Sequence, residues 1–327
     1  MTDGPEASTG PRTVGRPART IFFGSGSFAV PTLEALVAAP EVHLVAAVGA
    51  PDRLAGRRGV PMSVPAVTRA RSLGLTVLQP KQLRAPEAIE SVVALRPDLG
   101  ILADYGRIVP AAILDAVPRG ILNVHPSLLP RHRGAAPIPA AILAGDTEAG
   151  VTLIRMDAGV DTGPVVASCR WPLAGTETAP ELEHRAAAEG AALLADTLGA
   201  WLHGRIEPHP QDEAGATVTR PLRREDGRLD PNRPVEALER QVRALQSWPG
   251  SWLETVVGRL VVWRAEAAPG FEGGDPTPGR FGRFGLHAVD GQLALREVQP
   301  AGGRRMTWDE LVRGRPAIVG SDVVAGG

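Results

Sequence analysis

At 327 residues the chain is long enough for about two domains that each bury a core of their own. An apolar content of 43% and a net charge of −1 exclude a disordered polyelectrolyte and offer no bulk positive charge for nucleic acid. The single cysteine, Cys169, excludes an internal disulfide framework, seven histidines without ligand-like spacing argue against a metal site, and no apolar run is long enough to span a bilayer.

Residues 1–18 are polar, carry Pro and Gly, and lack the apolar centre of a signal segment, so a disordered leader on a cytoplasmic protein is expected. "TIFFGS" predicts a first strand ending at a glycine, and "FAVPTLEALVAA" has helical spacing. "VHLVAAVGA" reads as a second buried strand. "PEAIESVVALRP" predicts a helix, followed by the apolar runs "DLGILADYG" and "GILNVHP". "APIPAAILAGD" is helical, "GVTLIRMDAGVDTGPVVASCRWPL" forms two strands around a turn, and "TAPELEHRAAAEGAALLADTLGAWLHG" is a long amphipathic helix. This alternation predicts an α/β catalytic domain over 19–205 with a largely parallel sheet. The pattern fades over 206–222, which reads as a linker. Over 223–320, "PVEALERQVRALQ" predicts a helix with apolar residues at 235, 238, 242 and 245, and short strands broken by Gly and Pro predict a small antiparallel barrel.

"GSGSFA", Gly24 to Ala29, fits the dinucleotide fingerprint G-x-G-x-x-A, with Glu41 or Asp52 as candidate ribose ligands. It fits equally a tight strand-to-helix turn that only glycine can make.

Asn123 and His125 close a predicted strand. Residues two apart on a strand share a face, so the two side chains project together with Val124 opposite, and Pro126 ends the ladder. An amide donor beside an imidazole suits acyl transfer, because both can meet an oxygen that becomes negative and the imidazole can carry a proton. Such a histidine needs an orienting carboxylate, and "MDAGVDTGP" offers Asp157 and Asp161, which hairpin chemistry alone could also explain.

"NVHPSLLPRHRGAAPI" followed by "GVTLIRMDAGVDTGPVV" resembles the 10-formyltetrahydrofolate-dependent formyltransferases. "APDRLAGRRG", "RALQSWPGSWLE" and "LREVQPAGGRRMTWDELVRGR" narrow the resemblance to the branch that formylates methionyl-tRNA, and it runs from about Thr20 to Arg315. The resemblance implies a Rossmann-like formyltransferase domain with a C-terminal OB-like β-barrel that binds tRNA, and a glycine-rich first turn used without a dinucleotide. It implies 10-formyltetrahydrofolate as co-substrate without metal, initiator methionyl-tRNA as acceptor, and a monomer. Asn123, His125 and Asp161 match the catalytic triplet. In the family mechanism Asn123 and His125 stabilise the oxyanion, while Asp161 holds the imidazole and relays protons. Ser127, Leu128, Leu129, Pro130, Tyr105, Gly106 and Asp157 match the folate side. Arg53, Arg57 and Arg58 match a loop that meets the tRNA acceptor end. After residue 206 the chain has 16 arginines against 17 acids, so a basic track there requires the fold to segregate the signs.

Overall fold

The computed structural model describes residues 16–55, 60–270 and 277–324. The chain divides into two compact units, Met1–Leu122 with Leu194–Ile206, and Asn123–Leu193 with Glu207–Gly327.

In the first unit, β1 (Ala18–Gly24) is followed by α1 (Ala29–Ala38) and β2 (Val42–Val48). A short antiparallel hairpin, β3 (Arg53–Ala55) and β4 (Val60–Met62), precedes α2 (Pro65–Ser72), β5 (Val77–Leu78), α3 (Pro86–Val93), β6 (Leu99–Ala103) and α4 (Ala111–Asp115). The strands lie in the order β6-β1-β2-β5, all parallel. Ile21, Phe22 and Phe23 are almost completely buried, as expected of a parallel strand covered on both faces. β1 is flanked by β2 on one side and β6 on the other, so the winding reverses beside it, as in Rossmann-like sheets. Ordered chain reaches into the span predicted as a leader: Arg16 pairs with Asp98 at 3.3 Å and Ala18 opens β1, while residues 1–15 lie outside the described residues.

The glycine-rich turn is held from within. The Ser25 and Gly26 amides donate to the Asp104 carbonyl at 3.0 and 3.3 Å. A Cβ at Gly24 would stand 2.5 Å from Phe22 Cζ and 2.9 Å from the Ala29 Cβ, so glycine is required there for close packing. The Ser25 and Gly26 amides, two of the backbone donors that a dinucleotide phosphate would use, are occupied, which favours the tight-turn interpretation.

The second unit begins within β7 (Ile121–His125), at Asn123. There follow β8 (Arg133–Gly134), α5 (Pro137–Ala144), β9 (Glu148–Arg155), β10 (Val165–Pro172) and α6 (Ala179–Leu202). β9 and β10 form an antiparallel hairpin, and the sheet order is β10-β9-β7. The span predicted as a linker is not loose. Its strand β11 (Val218–Thr219) pairs in parallel with β8, and His209 exchanges two backbone hydrogen bonds with Val165.

Next come α7 (Val235–Ala244), β12 (Ser251–Thr255), β13 (Gly258–Pro269), β14 (Phe281–Gly282), β15 (Gly285–His287), β16 (Gly291–Pro300), β17 (Met306–Thr307) and α8 (Trp308–Gly314). The strands form an antiparallel sheet in the order β12-β13-β16-β15-β14, with β17 on β16. Alternate residues Leu260 and Val262 of β13 point into a core that α7 covers with Val235, Leu238 and Val242. Register shifts at Val262–Ala265 bend β13 against β16 and curl the sheet. β12 and β14 remain its two ends among the described residues. The result is a curled half-barrel, consistent with the OB-like barrel that the sequence predicts. Among the described residues no helix is long and apolar enough to cross a membrane.

Candidate active site

The strand period works as the sequence predicts. A Cβ at Gly190 of α6 would sit 2.8 Å from Val124, so the bare glycine lets α6 press on that face of β7. Asn123 and His125 share the other face, both buried, at the carboxyl end of the strand. The loop beyond is pinned to β9. Thr152 Oγ1 donates to the Ser127 carbonyl at 2.7 Å and accepts from the Leu129 amide at 3.2 Å. Ser127 Oγ donates to the Arg131 carbonyl at 2.7 Å, and the Leu129–Pro130 peptide is cis.

The β9–β10 turn decides between the two aspartates. Asp157 turns inward on its own hairpin, accepting from the Gly159 amide at 2.9 Å and Thr162 Oγ1 at 2.7 Å. This is the Asx chemistry of a turn. Asp161 is brought to the strand end. Its Oδ1 accepts from Asn123 Nδ2 at 2.9 Å, and its Oδ2 accepts from the Gly134 amide at 2.8 Å while standing 3.5 Å from His125 Nδ1. Its backbone adopts φ +54°, a left-handed conformation that aspartate tolerates better than most residues.

The electrostatics fix the state of His125. Its Nε2 lies 3.0 Å from the His132 carbonyl, an acceptor only, so Nε2 carries the proton and Nδ1 holds the lone pair. Burial pushes its pKa below the usual imidazole value; the Asp161 charge and the His132 carbonyl pull it back up, and the His132 ring adds to the lowering. Burial thus favours the neutral imidazole, with Nδ1 facing Asp161 Oδ2 at 3.5 Å and making no hydrogen bond among the described residues. The His132 carbonyl is itself held. The His132 ring pairs with Asp146 at 2.7 Å, Arg131 reaches the same carboxylate at 2.5 Å, and the His132 amide donates to Thr217 Oγ1 at 2.8 Å. The positive charges of this loop therefore brace it. Arg133 is buried and spans Gln211 and Glu213.

Of the remaining sequence-predicted residues, Ser127 is buried and Leu128, Leu129 and Pro130 partly so, in the pinned loop after His125. Tyr105 and Gly106 belong to the first unit. The Tyr105 ring is buried edge-on to Phe23 with centroids 5.6 Å apart, and burial pushes its hydroxyl pKa up to about 12. Gly106 is exposed with φ +72°. Arg53 is exposed at the start of β3, whereas Arg57 and Arg58 lie outside the described residues. Sequence reasoning missed Gln211, Glu213, Thr217 and Thr219, which hold the loop after His125. The one available signal was polar Thr at strand spacing in 217–219, and nothing in it names a partner 80 residues away.

A family model described as "Formyl transferase" matches residues 18–198, and one described as "Formyl transferase, C-terminal domain" matches residues 221–316. The fold agrees with solved structures. An N-formyltransferase from Helicobacter canadensis, in complex with folinic acid and dTDP-3-aminofucose, aligns with a TM-score of 0.64 over 85% of this chain and 99% of that one, at 17% identity. HypX from Aquifex aeolicus in complex with tetrahydrofolic acid aligns with a TM-score of 0.60 over 90% of this chain and 47% of that one, at 16% identity. Fold and family models define the class, a formyltransferase with both of its domains. Among curated relatives, the methionyl-tRNA formyltransferase of Halorhodospira halophila is 43% identical over 94% of this chain and 99% of its own length. That of Roseiflexus castenholzii is 41% identical over 90% and 96%. The chain belongs to the methionyl-tRNA formyltransferase family.

Proposed function

We propose that the protein transfers the formyl group of 10-formyltetrahydrofolate to the α-amino group of methionyl-tRNA, with initiator tRNA as the acceptor. The observation that carries this reading is the convergence of Asn123, His125 and Asp161 at one strand end, in a chain about 40% identical to methionyl-tRNA formyltransferases along nearly its whole length.

The donor set fits the group. Among the described residues no acceptor meets the second N–H of Asn123 Nδ2, and His125 Nδ1 makes no hydrogen bond. One free donor and one free base, side by side, are what a carbonyl carbon under attack by an amine requires. When bound, the folate supplies that carbon as its N10-formyl group. Asn123 directs its spare N–H at the formyl oxygen as negative charge gathers there. His125 takes the amine proton at Nδ1 as the new C–N bond forms, and returns it to the departing N10 as the old bond breaks. Asp161 stabilises the imidazolium in between. With Nε2–H committed to the His132 carbonyl, His125 can donate to the oxyanion only after Nδ1 is protonated, so Asn123 carries the early charge.

Ser127 to Pro130 are proposed to line the folate side of this strand end. Arg53, Arg57 and Arg58 are proposed to contact the tRNA acceptor end, and the half-barrel to carry its backbone. The division into a catalytic domain 19–205, a linker 206–222 and a C-terminal domain 223–320 is supported by the two separate family matches. We infer a cytoplasmic monomer.

Incubation with 10-formyltetrahydrofolate and charged methionyl-tRNA, with a nucleotide-linked amino sugar in parallel, tests the reading. Formylmethionyl-tRNA as the only product supports it, and formylation of the sugar alone overturns it.

A further inference from the structure

Gln211 is hydrogen-bonded to its full capacity. Nε2 donates to the Asp161 carbonyl at 2.8 Å and the Gly163 carbonyl at 2.7 Å. Oε1 accepts from Arg133 Nε at 3.0 Å and Arg133 Nη2 at 2.8 Å. A primary amide has two N–H donors and one oxygen with two lone pairs, and all four are used. No other side chain of this length satisfies both sides. Glutamate would set a carboxylate against two carbonyls, and an apolar residue would leave Arg133 donors unpaired in a buried place.

What Gln211 grips is the backbone of the residue whose carboxylate meets Asn123 and His125. Asp161 sits at φ +54°, and the direction of its side chain follows from that conformation. The other end of the grip is fixed. Arg133 is buried and meets Glu213 through two nitrogens, at 2.9 and 2.7 Å. The segment carrying Gln211 is anchored on both sides, by His209 on Val165 and by β11 on β8.

We propose that Gln211 is a positioning residue for formyl transfer: it holds the Asp161 turn so that the carboxylate faces Asn123 and His125. The span joining the two family-matched regions thereby sets the geometry of the site. This rests on the role given to Asp161 above.

The test compares full-length wild type, Asp161→Asn, Gln211→Glu and the double variant, measuring kcat and both KM values. Gln211→Glu keeps the size and the partner Arg133 but reverses the two donors. Its kcat is expected to fall about 10- to 100-fold, the scale of a small misplacement of a catalytic group, with both KM values within about threefold of wild type. In the Asp161→Asn background the same substitution is expected to change kcat by less than about threefold, because residues acting as one unit are not additive. Gln211→Met, which removes the bonds without adding charge, is expected to show the same pattern. Wild-type kcat in both Gln211 variants, losses that multiply with Asp161→Asn, or losses confined to KM would each overturn the proposal. Wild-type kcat in Asp161→Asn would instead overturn the role of Asp161 itself.

Discussion

Replacing Asp161 with asparagine removes one charge while keeping the shape. Asp161 Oδ2 stands 3.5 Å from His125 Nδ1, so at an effective dielectric of ~20 a protonated imidazole gains about 5 kcal/mol from it. Roughly half of that is expected to reach the barrier once neighbouring dipoles relax. The asparagine amide must also present a donor either to Asn123 Nδ2 or to the Gly134 amide, which costs one hydrogen bond of about 1 kcal/mol. The sum, about 3–4 kcal/mol, predicts a kcat lower by about 10²- to 10³-fold. The sign of the pH effect follows from the same geometry. The groups facing His125 are Asp161 and His132, and burial already lowers its pKa. Removing the carboxylate further disfavours the protonated form. The acid limb of kcat/KM, which reports the free enzyme, therefore moves to lower pH. Steady-state formylation of methionyl-tRNA between pH 5 and 8 measures both. A kcat within about threefold of wild type, or an acid limb that stays in place or moves up, would refute the pairing.

Asn123→Ala removes the proposed early donor to the formyl oxygen, and kcat is expected to fall about 10²-fold in the same assay with little change in KM. Asp157→Ala breaks only the Asx bonds to Gly159 and Thr162, so kcat should stay within about threefold while thermal melting shifts by no more than a few degrees. Gly24→Ala drives a methyl group into the Phe22 ring and is expected to destabilise the protein by about 1–3 kcal/mol, read by denaturant unfolding. Titration with NADH should show no saturable binding before or after that change.

The strands β1 and β7 were legible because uninterrupted apolar runs bounded by Gly or Pro leave little else for the chain to do. The spacing of Val235, Leu238, Val242 and Leu245 was legible for the same kind of reason, and all four are buried. α2 escaped notice because "PAVTRARS" buries only Ala66, Val67 and Ala70, too little for an apolar stripe. α8 was readable in principle: Thr307 and Glu310 form a capping box, the T-x-x-E signature of a helix start. At the site, the two-residue period brought Asn123 and His125 together on paper. It could not choose between Asp157 and Asp161, because the choice depends on which carboxylate the turn consumes in folding itself. The grip of Gln211 on Asp161 was invisible, since hydrogen bonds across 50 residues leave no periodic trace. Arg131 and Arg133, beside His125, gave no sign in the sequence of what they pair with. Their partners Asp146, Gln211 and Glu213 make them braces.

The central claim is that His125 carries the proton for formyl transfer to methionyl-tRNA. Single-turnover formylation by wild type and His125→Ala, with tRNA binding measured on the same preparations, tests it most directly. A fall of about 10²-fold or more in the transfer rate with unchanged tRNA affinity is the predicted result. A variant that formylates within about threefold of wild type would contradict it.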